Sequence, residues 1–350
     1  MSMIKPTTTT QWNSLDGARA LSILSVLACH LLPLGPKTFF DLNIALGQFG
    51  MAIFLGLSGF LIAHKLITDK SMVDFFVKRA TRIFPLLWLI LLLSFAWRLS
   101  DLGFSAVTAH VFLFVNNLPH YYLPETEHLW SLCVEIHFYI LAGLCFFMFK
   151  RSGLILLVLT GLLLSVYRFK EQALFDTTTL FRLDELLIGL SIGLLWHTES
   201  PAANWLKKTL GSLNPFFLMI ALALASLAPP NPWLFVLRPY IAALLIGALI
   251  YNQGSSLTKL MASKKWEWVS RHSYALYLIH PFLLVTWLSS GDKLTMYMKR
   301  PLLFLVLFVL AYLSTKYFEK YFIQTGNKWL EKRNIAKSKT AVLSHPSTAD

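Results

Sequence analysis

LWSLCVEIHFYILAGLCFFMF, residues 129–149, carries a single carboxylate, Glu135, in an otherwise apolar run. Wound as a helix at 1.5 Å per residue it is about 30 Å long, the thickness of a bilayer's hydrocarbon core. The pattern recurs along the chain, in apolar stretches at 15–34, 44–63, 83–97, 153–167, 182–197, 213–228, 234–252, 270–290 and 302–322. Composition agrees: of 350 residues, 56% are hydrophobic and only 14% charged, with a mean hydropathy of +0.58. Such a chain is neither disordered, nor a coiled coil, nor a secreted disulfide scaffold. The predicted fold is all-α, a polytopic membrane helix bundle of about ten transmembrane helices at roughly 20 residues each.

An eleventh apolar stretch, Phe104 to Asn116, is short for a crossing and runs into Asn117, Pro119 and Pro124, so it reads as a re-entrant or interfacial element. Loop charges support that choice. With ten crossings the basic clusters at Lys65 to Arg82, Lys150/Arg151, Lys207/Lys208, Lys259 to Lys265 and Lys328 to Lys339 share the cytoplasmic side, whereas an eleventh crossing would divide them. Both termini are then cytoplasmic. The net charge of +13 reads as membrane orientation and not as nucleic-acid binding. Asp16, Arg19 and His30 interrupt the first apolar stretch, which is therefore retained and not a cleaved signal. Three units follow: a cytoplasmic segment 1–14, a transmembrane domain 15–322, and a basic cytoplasmic tail 323–350 expected to lack order at the membrane surface. Cys29, Cys133 and Cys145 are odd in number and lie in apolar runs, which leaves neither a disulfide framework nor a CxxC metal site.

Ionisable groups inside spans cost roughly 2.5–3.5 kcal/mol each on insertion, so those retained are the candidates for function. Arg19 and His30 are eleven residues apart, which on a helix is three turns and about 20°, with a rise of about 16 Å. They share a face, with Arg19 expected at the cytoplasmic mouth and His30 deep in the same groove; a topogenic arginine and a core histidine would satisfy the same spacing. In QFGMAIFLGLSGFLI (48–62), Gly56, Ser58 and Gly59 suit close helix packing. In KRATRIFPLLW (78–88), Arg79 and Arg82 share a face just before the third span, as membrane anchors or as a fork for phosphates. In HLWSLCVEIHFY (128–139), Glu135 lies within a span and needs a partner, while Glu135 and His137 diverge and no HExxH occurs, so no metal is expected. RLDELLIGLSIG (182–193) places Arg182 and Asp184 at a span start, as a local ion pair or as part of a site, with Gly189 and Gly193 as a packing face. HSYALYLIHPF (272–282) places His280 midway along the ninth span, satisfying a kink at Pro281 or serving the site. Glu319 follows near the inner end of the last span.

Taken in order these segments resemble the acyltransferase 3 family of integral-membrane acyltransferases. SLDGARALSILSVLACH (14–30) is similar to its opening LDGLRG-type segment with an Arg-x10-His pair, and GMAIFLGLSGFLI to its FFVLSGFLI segment. KRATRIFPLLW resembles RRxxRIxPxYW, HLWSLCVEIHFYIL resembles HLWSLSVEEQFYLL, HSYALYLIHP resembles the late SYxLYLxHP segment, and STKYFEKYF (314–322) resembles the closing SYRxIExP stretch. Ala18 and Ala20 replace the usual Leu and Gly around Arg19, Lys78 the first arginine, Ile136-His137 the Glu-Gln pair, and Lys320-Tyr321 the last Arg/Pro pair.

The resemblance implies an O-acetyltransferase of the bacterial inner membrane. It would move acetyl from cytoplasmic acetyl-CoA to a hydroxyl of a cell-surface polysaccharide or lipid-linked glycan, such as O-antigen or exopolysaccharide, with no bound cofactor. The partners implied are acyl-CoA, a glycan or glycolipid acceptor and membrane lipids. By position, His30, Arg19, Glu135 and His280 are the catalytic candidates, Arg79, Arg82 and Lys78 the acyl-CoA ligands, and Ser58, Arg182, Asp184 and Glu319 supporting residues. A standalone form without the SGNH domain of some members is expected. His30 would take the proton of the attacking hydroxyl or be acylated itself. Two other readings compete: a transporter or flippase of a lipid-linked glycan, which also uses buried charge, and an acyltransferase using another acyl group such as succinyl.

Overall fold

The computed structural model describes residues 12–34, 41–69, 71–98, 117, 126–227 and 231–344, and every regular element among them is helical. The expected re-entrant stretch Phe104 to Asn116 lies outside the described residues. In chain order the helices are α1 (Asn13–Leu31), α2 (Leu42–Thr68), α3 (Met72–Arg98), α4 (Trp130–Lys170), α5 (Thr179–Trp196), α6 (Pro201–Ser212), α7 (Pro215–Leu224), α8 (Pro232–Tyr251), α9 (Ser256–Met261), α10 (Lys264–Leu284), α11 (Lys293–Met298), α12 (Arg300–Leu313) and α13 (Lys320–Ser344). A π-helical segment, Ser314–Glu319, joins the last two.

Five described helical segments are long and apolar enough to cross a membrane: Asn13–Leu31, Leu42–Thr68, Glu127–Lys170, Pro232–Tyr251 and Arg300–Ala336. Stretches expected at 83–97, 182–197 and 270–290 fall in α3, α5 and α10, which are helical and carry more charge. The stretch at 213–228 yields only the ten residues of α7.

The expected pair 129–149 and 153–167 forms the two limbs of α4. Lys150, at φ +54° and ψ −134°, breaks the helix between them. A Cβ on Gly153 would lie 2.3 Å from the carbonyl oxygen of Cys145. Residues eight apart in a straight helix are about 12 Å apart along its axis, so the second limb folds back along the first.

The first two helices are fastened where α1 ends. Asn43, in the first turn of α2, donates through Nδ2 to the carbonyls of Cys29 (2.8 Å) and Leu32 (2.6 Å), satisfying groups the last turn of α1 leaves open. Ser22 Oγ donates to Gly50 O at 2.7 Å further along the same seam. On its other side α2 meets α5 without intervening side chains. A Cβ on Gly59 would sit 2.0 Å from Leu186 O, and one on Gly189 would sit 2.2 Å from Gly56 O. Small residues at this spacing let the backbones touch, as expected of both stretches.

Contacts between helix ends divide the bundle into two poles. At one, His64 of α2 hydrogen-bonds His197 beyond α5 (2.8 Å), Arg151 donates to His197 O and Lys207 to Thr198 O. This basic pole gathers the positive loops of α2, α4 and α5. At the other lie the C-terminal ends of α1 and α10 and the starts of α2 and α4.

Two expectations change here. The segment 323–350 was expected to lack order, yet helix continues from the π-helical turn to Ser344. It is held against α3, with Gly326 over Thr81, Leu330 buried and Arg333 3.8 Å from Asp74, and these contacts supply what its polar composition does not. Arg79 and Arg82 lie inside α3 and not ahead of it. Ser71 caps that helix by accepting from the Asp74 amide (3.1 Å), well ahead of the expected start at 83, and Pro85 is carried within it.

Candidate active site

A cavity of about 220 Å³ opens between α1, α2, α3, α4 and α10. Its basic end is formed by Arg19, Lys65, Arg79 and Arg82, its middle by Ser58, Glu135 and Tyr139, and its far end by Val26, Met51, Phe54 and Tyr277. Four cations thus face one carboxylate. Arg19, Lys65, Arg79 and Arg82 make no ion pair among the described residues. Arg79 is held instead over the rings of Phe75 and Tyr139, at 5.9 and 5.5 Å from their centroids. Stacking fixes the guanidinium plane while leaving its N–H groups for another partner.

Glu135 finds its partners inside the bundle. Ser58 Oγ donates to its Oε1 at 2.7 Å and Tyr139 OH donates to the same oxygen. Tyr139 follows Glu135 by one helical turn, so α4 brings its own donor to the carboxylate.

Beyond Tyr277 lies a group of histidines. His30 Nδ1 is 2.8 Å from His280 Nε2, their rings stacked with centroids 5.0 Å apart. The hydrogen positions follow from the backbone. Pro281 has no N–H, so the carbonyl of Tyr277 lacks its helical donor, and His280 Nδ1 fills that role at 2.8 Å. A carbonyl only accepts, so His280 Nδ1 carries the proton and, in the neutral ring, Nε2 does not. Nε2 therefore accepts from His30 Nδ1–H, which leaves the lone pair of His30 on Nε2. His280 is completely buried and thus meets both readings of its position: it satisfies the proline kink and it orients His30. It lies one turn from the end of α10, not midway along its span.

His30 departs from expectation in depth. It sits in the last turn of α1 and is exposed, at the pole opposite Arg19, because α1 ends at Leu31 just ahead of Pro33. It follows Val26, a cavity-lining residue, by one turn. Among the other candidates, Ser58 lines the cavity. Lys78, next to Arg79 but rotated about 100° on the helix, points to the surface and pairs with Asp69 at 2.6 Å. Glu319 is buried and accepts from Thr315 Oγ1 (2.9 Å) and Ser314 Oγ (3.2 Å), outside the cavity wall.

Arg182 and Asp184 are not paired with each other. They belong to a second charged group that leaves the cavity aside. Arg168 lies 2.9 Å from Asp184, which also accepts from Ser165 at 3.0 Å. Arg168, Arg182 and Arg238 converge on Glu185, the first two at 3.4 and 3.2 Å. Gln48 Oε1 accepts from Arg182 (3.3 Å) and Arg238 (2.5 Å), and the guanidinium of Arg238 lies 4.0 Å from the centre of the Phe235 ring.

Sequence reasoning passed over Lys65, Tyr139, Tyr277, Arg168 and Arg238. Arg238 had a usable signal, a cation inside the expected span 234–252. Tyr139 and Tyr277 had none beyond lying one turn from Glu135 and His280.

The chain belongs to the acyltransferase 3 family, whose acyltransferase-domain model matches residues 12–315. It is 26% identical over 320 residues to the peptidoglycan O-acetyltransferase OatA of Listeria monocytogenes, an alignment covering 78% of this chain and 49% of that one. A Bacillus subtilis relative, YrhL, provisionally named a peptidoglycan O-acetyltransferase, is 26% identical over 311 residues, covering 76% of this chain and 47% of that one. The chain thus spans about half the length of these relatives. No solved structure matches it at a significant level.

Proposed function

We propose that the protein is an acetyl-CoA-dependent O-acetyltransferase of the bacterial inner membrane, acting on a sugar hydroxyl of a cell-surface polysaccharide or lipid-linked glycan. The ten-span topology with both termini cytoplasmic is part of this reading, and it puts the basic pole on the cytoplasmic side. The observation that carries it is the cavity, with four cations at that pole and Val26, one turn before His30, in its far wall.

Coenzyme A presents several phosphates and a thin arm ending in the thioester. Arg79 and Arg82, with Arg19 and Lys65, bind the phosphates as charge-assisted donors, and the apolar walls from Ile62 to Val26 take the arm. At the far pole the lone pair of His30 Nε2, set by His280, takes the proton of the attacking hydroxyl as it adds to the thioester carbonyl. Glu135, fixed by Ser58 and Tyr139, balances part of the positive charge midway. In the relatives' names the acceptor is peptidoglycan, and a glycan acceptor suits a histidine that is exposed at the outer pole.

The test is transfer of labelled acetyl from acetyl-CoA into the glycan and glycolipid fractions of membranes that carry the wild type or His30→Ala. Removing a general base costs about 10²–10⁴-fold, and label in the glycan fraction should fall by at least the lower figure. Equal label in both would remove His30 from the chemistry and turn attention to flipping of a lipid-linked glycan.

A further inference from the structure

His128 lies in the short 3₁₀ turn Glu127–Leu129, just ahead of α4. The residue is only 7% exposed, and neither ring nitrogen has a hydrogen-bond partner among the described residues. Leaving a buried polar group unsatisfied is costly, so an imidazole held this way is either strained or waiting for a partner that arrives. Its surroundings favour the second. The ring lies edge-on to His280 (centroids 5.4 Å) and to Tyr277 (5.1 Å), and Tyr277 OH donates to the His128 carbonyl. Ser131 Oγ completes the clamp, 2.7 Å from Tyr277 Oη. Tyr277 and Leu132, one turn beyond His128, both line the cavity. The backbone and ring plane are therefore fixed by named contacts while both nitrogens are left over among the described residues, next to Tyr277 of the cavity wall and beside the ring that orients His30.

We propose that His128 is a further catalytic residue, whose ring N–H donates a hydrogen bond to the thioester carbonyl oxygen as that oxygen becomes the tetrahedral oxyanion. The assignment rests on the acyl-transfer reading above and adds the donor that reading lacks. In the step, the sugar oxygen bonds to the carbonyl carbon, its proton passes to His30 Nε2, and the carbonyl π pair moves onto oxygen, where the His128 N–H meets it. On collapse the pair returns to re-form C=O, the C–S bond breaks, and the CoA thiolate leaves and takes up the proton held by His30. Acetyl-CoA and the hydroxyl are the only reactants, and His128 keeps its proton throughout.

His128→Phe preserves the ring against Tyr277 and His280 but has no N–H, whereas His128→Gln retains a donor. Both are compared with wild type for acetyl transfer from acetyl-CoA to acceptor membranes and for CoA binding to the purified protein. Loss of one oxyanion donor costs about 10²–10³-fold in kcat, so His128→Phe should fall by at least 10²-fold. CoA should bind within about twofold of wild type, and His128→Gln should recover at least about tenfold of the lost rate; these margins reflect a lost donor and not lost packing. A His128→Phe enzyme with wild-type kcat, or a His128→Gln enzyme no faster than His128→Phe, overturns the assignment while leaving the acyltransferase reading in place. A wild type that neither binds CoA nor transfers acetyl overturns both.

Discussion

Two groups of arginines sit in this bundle a few helices apart, and they differ in what their charges meet. Arg168, Arg182 and Arg238 are fully buried around Glu185, Asp184 and Gln48, so most of their charge is answered within the protein. Arg19, Arg79 and Arg82 line a cavity with Lys65 and face a single carboxylate, which two hydroxyl donors already occupy. Burying charge without a partner is costly, and the protein meets that cost in opposite ways. One group is closed on itself and reads as architecture, tying α4, α5 and α8 together. The other is left open at the basic pole, where on the proposed function an anion supplies the missing charge. A cation in a membrane span is therefore informative only together with its partners.

The closed group gives the largest expected effect. Glu185→Ala removes the carboxylate on which three guanidinium groups converge, and breaking such a buried set costs about 3–5 kcal/mol. Thermal unfolding of the detergent-solubilised protein should show a pronounced drop or no folded protein at all; a stability within 1 kcal/mol of wild type, on the scale of ordinary substitutions, would dissolve the contrast.

A smaller effect is expected at the wall between the groups. α2 turns Ser58 toward the cavity and Gly59 onto α5, where an added Cβ would collide with Leu186 O. Gly59→Ala should lose about 1–3 kcal/mol through overpacking. Because α2 must then shift, CoA binding should weaken in parallel, and a stability loss with unchanged binding would show that the two regions are mechanically separate. The smallest effect is at Lys78. Lys78 itself is at the surface, its side chain 44% exposed, so Lys78→Ala should change both stability and CoA affinity by less than about 1 kcal/mol; a large loss of affinity would bring it back among the phosphate ligands.

Much of this was legible in the residues. The apolar run around Glu135 and the spacing of Gly56, Gly59, Gly189 and Gly193 specify membrane helices and a close seam, because hydropathy and small-residue packing are local properties. Eleven residues on one helix set a common face for Arg19 and His30, but of the two only Arg19 lines the cavity. What was not legible depended on where helices end and what lies across from them. His30 was expected at depth, but α1 stops one residue later. Arg182 and Asp184 looked like neighbours in a pair, yet Arg182 pairs with Glu185 one turn along α5 and donates to Gln48 of α2, while Asp184 takes Arg168 and Ser165 of α4. The tail was expected to lack order on its composition, and its helix is held by Thr81 and Asp74, more than two hundred residues away in sequence.

The central claim, that the open arginines are open for an anionic acyl donor, is tested most directly by titrating CoA onto the purified protein, with Arg79→Gln/Arg82→Gln beside the wild type. Charge-assisted hydrogen bonds are worth about 1.5–3 kcal/mol each, so the double variant should bind CoA at least about 10²-fold more weakly while unfolding at the wild-type temperature. Unchanged CoA affinity in a folded double variant would contradict the account.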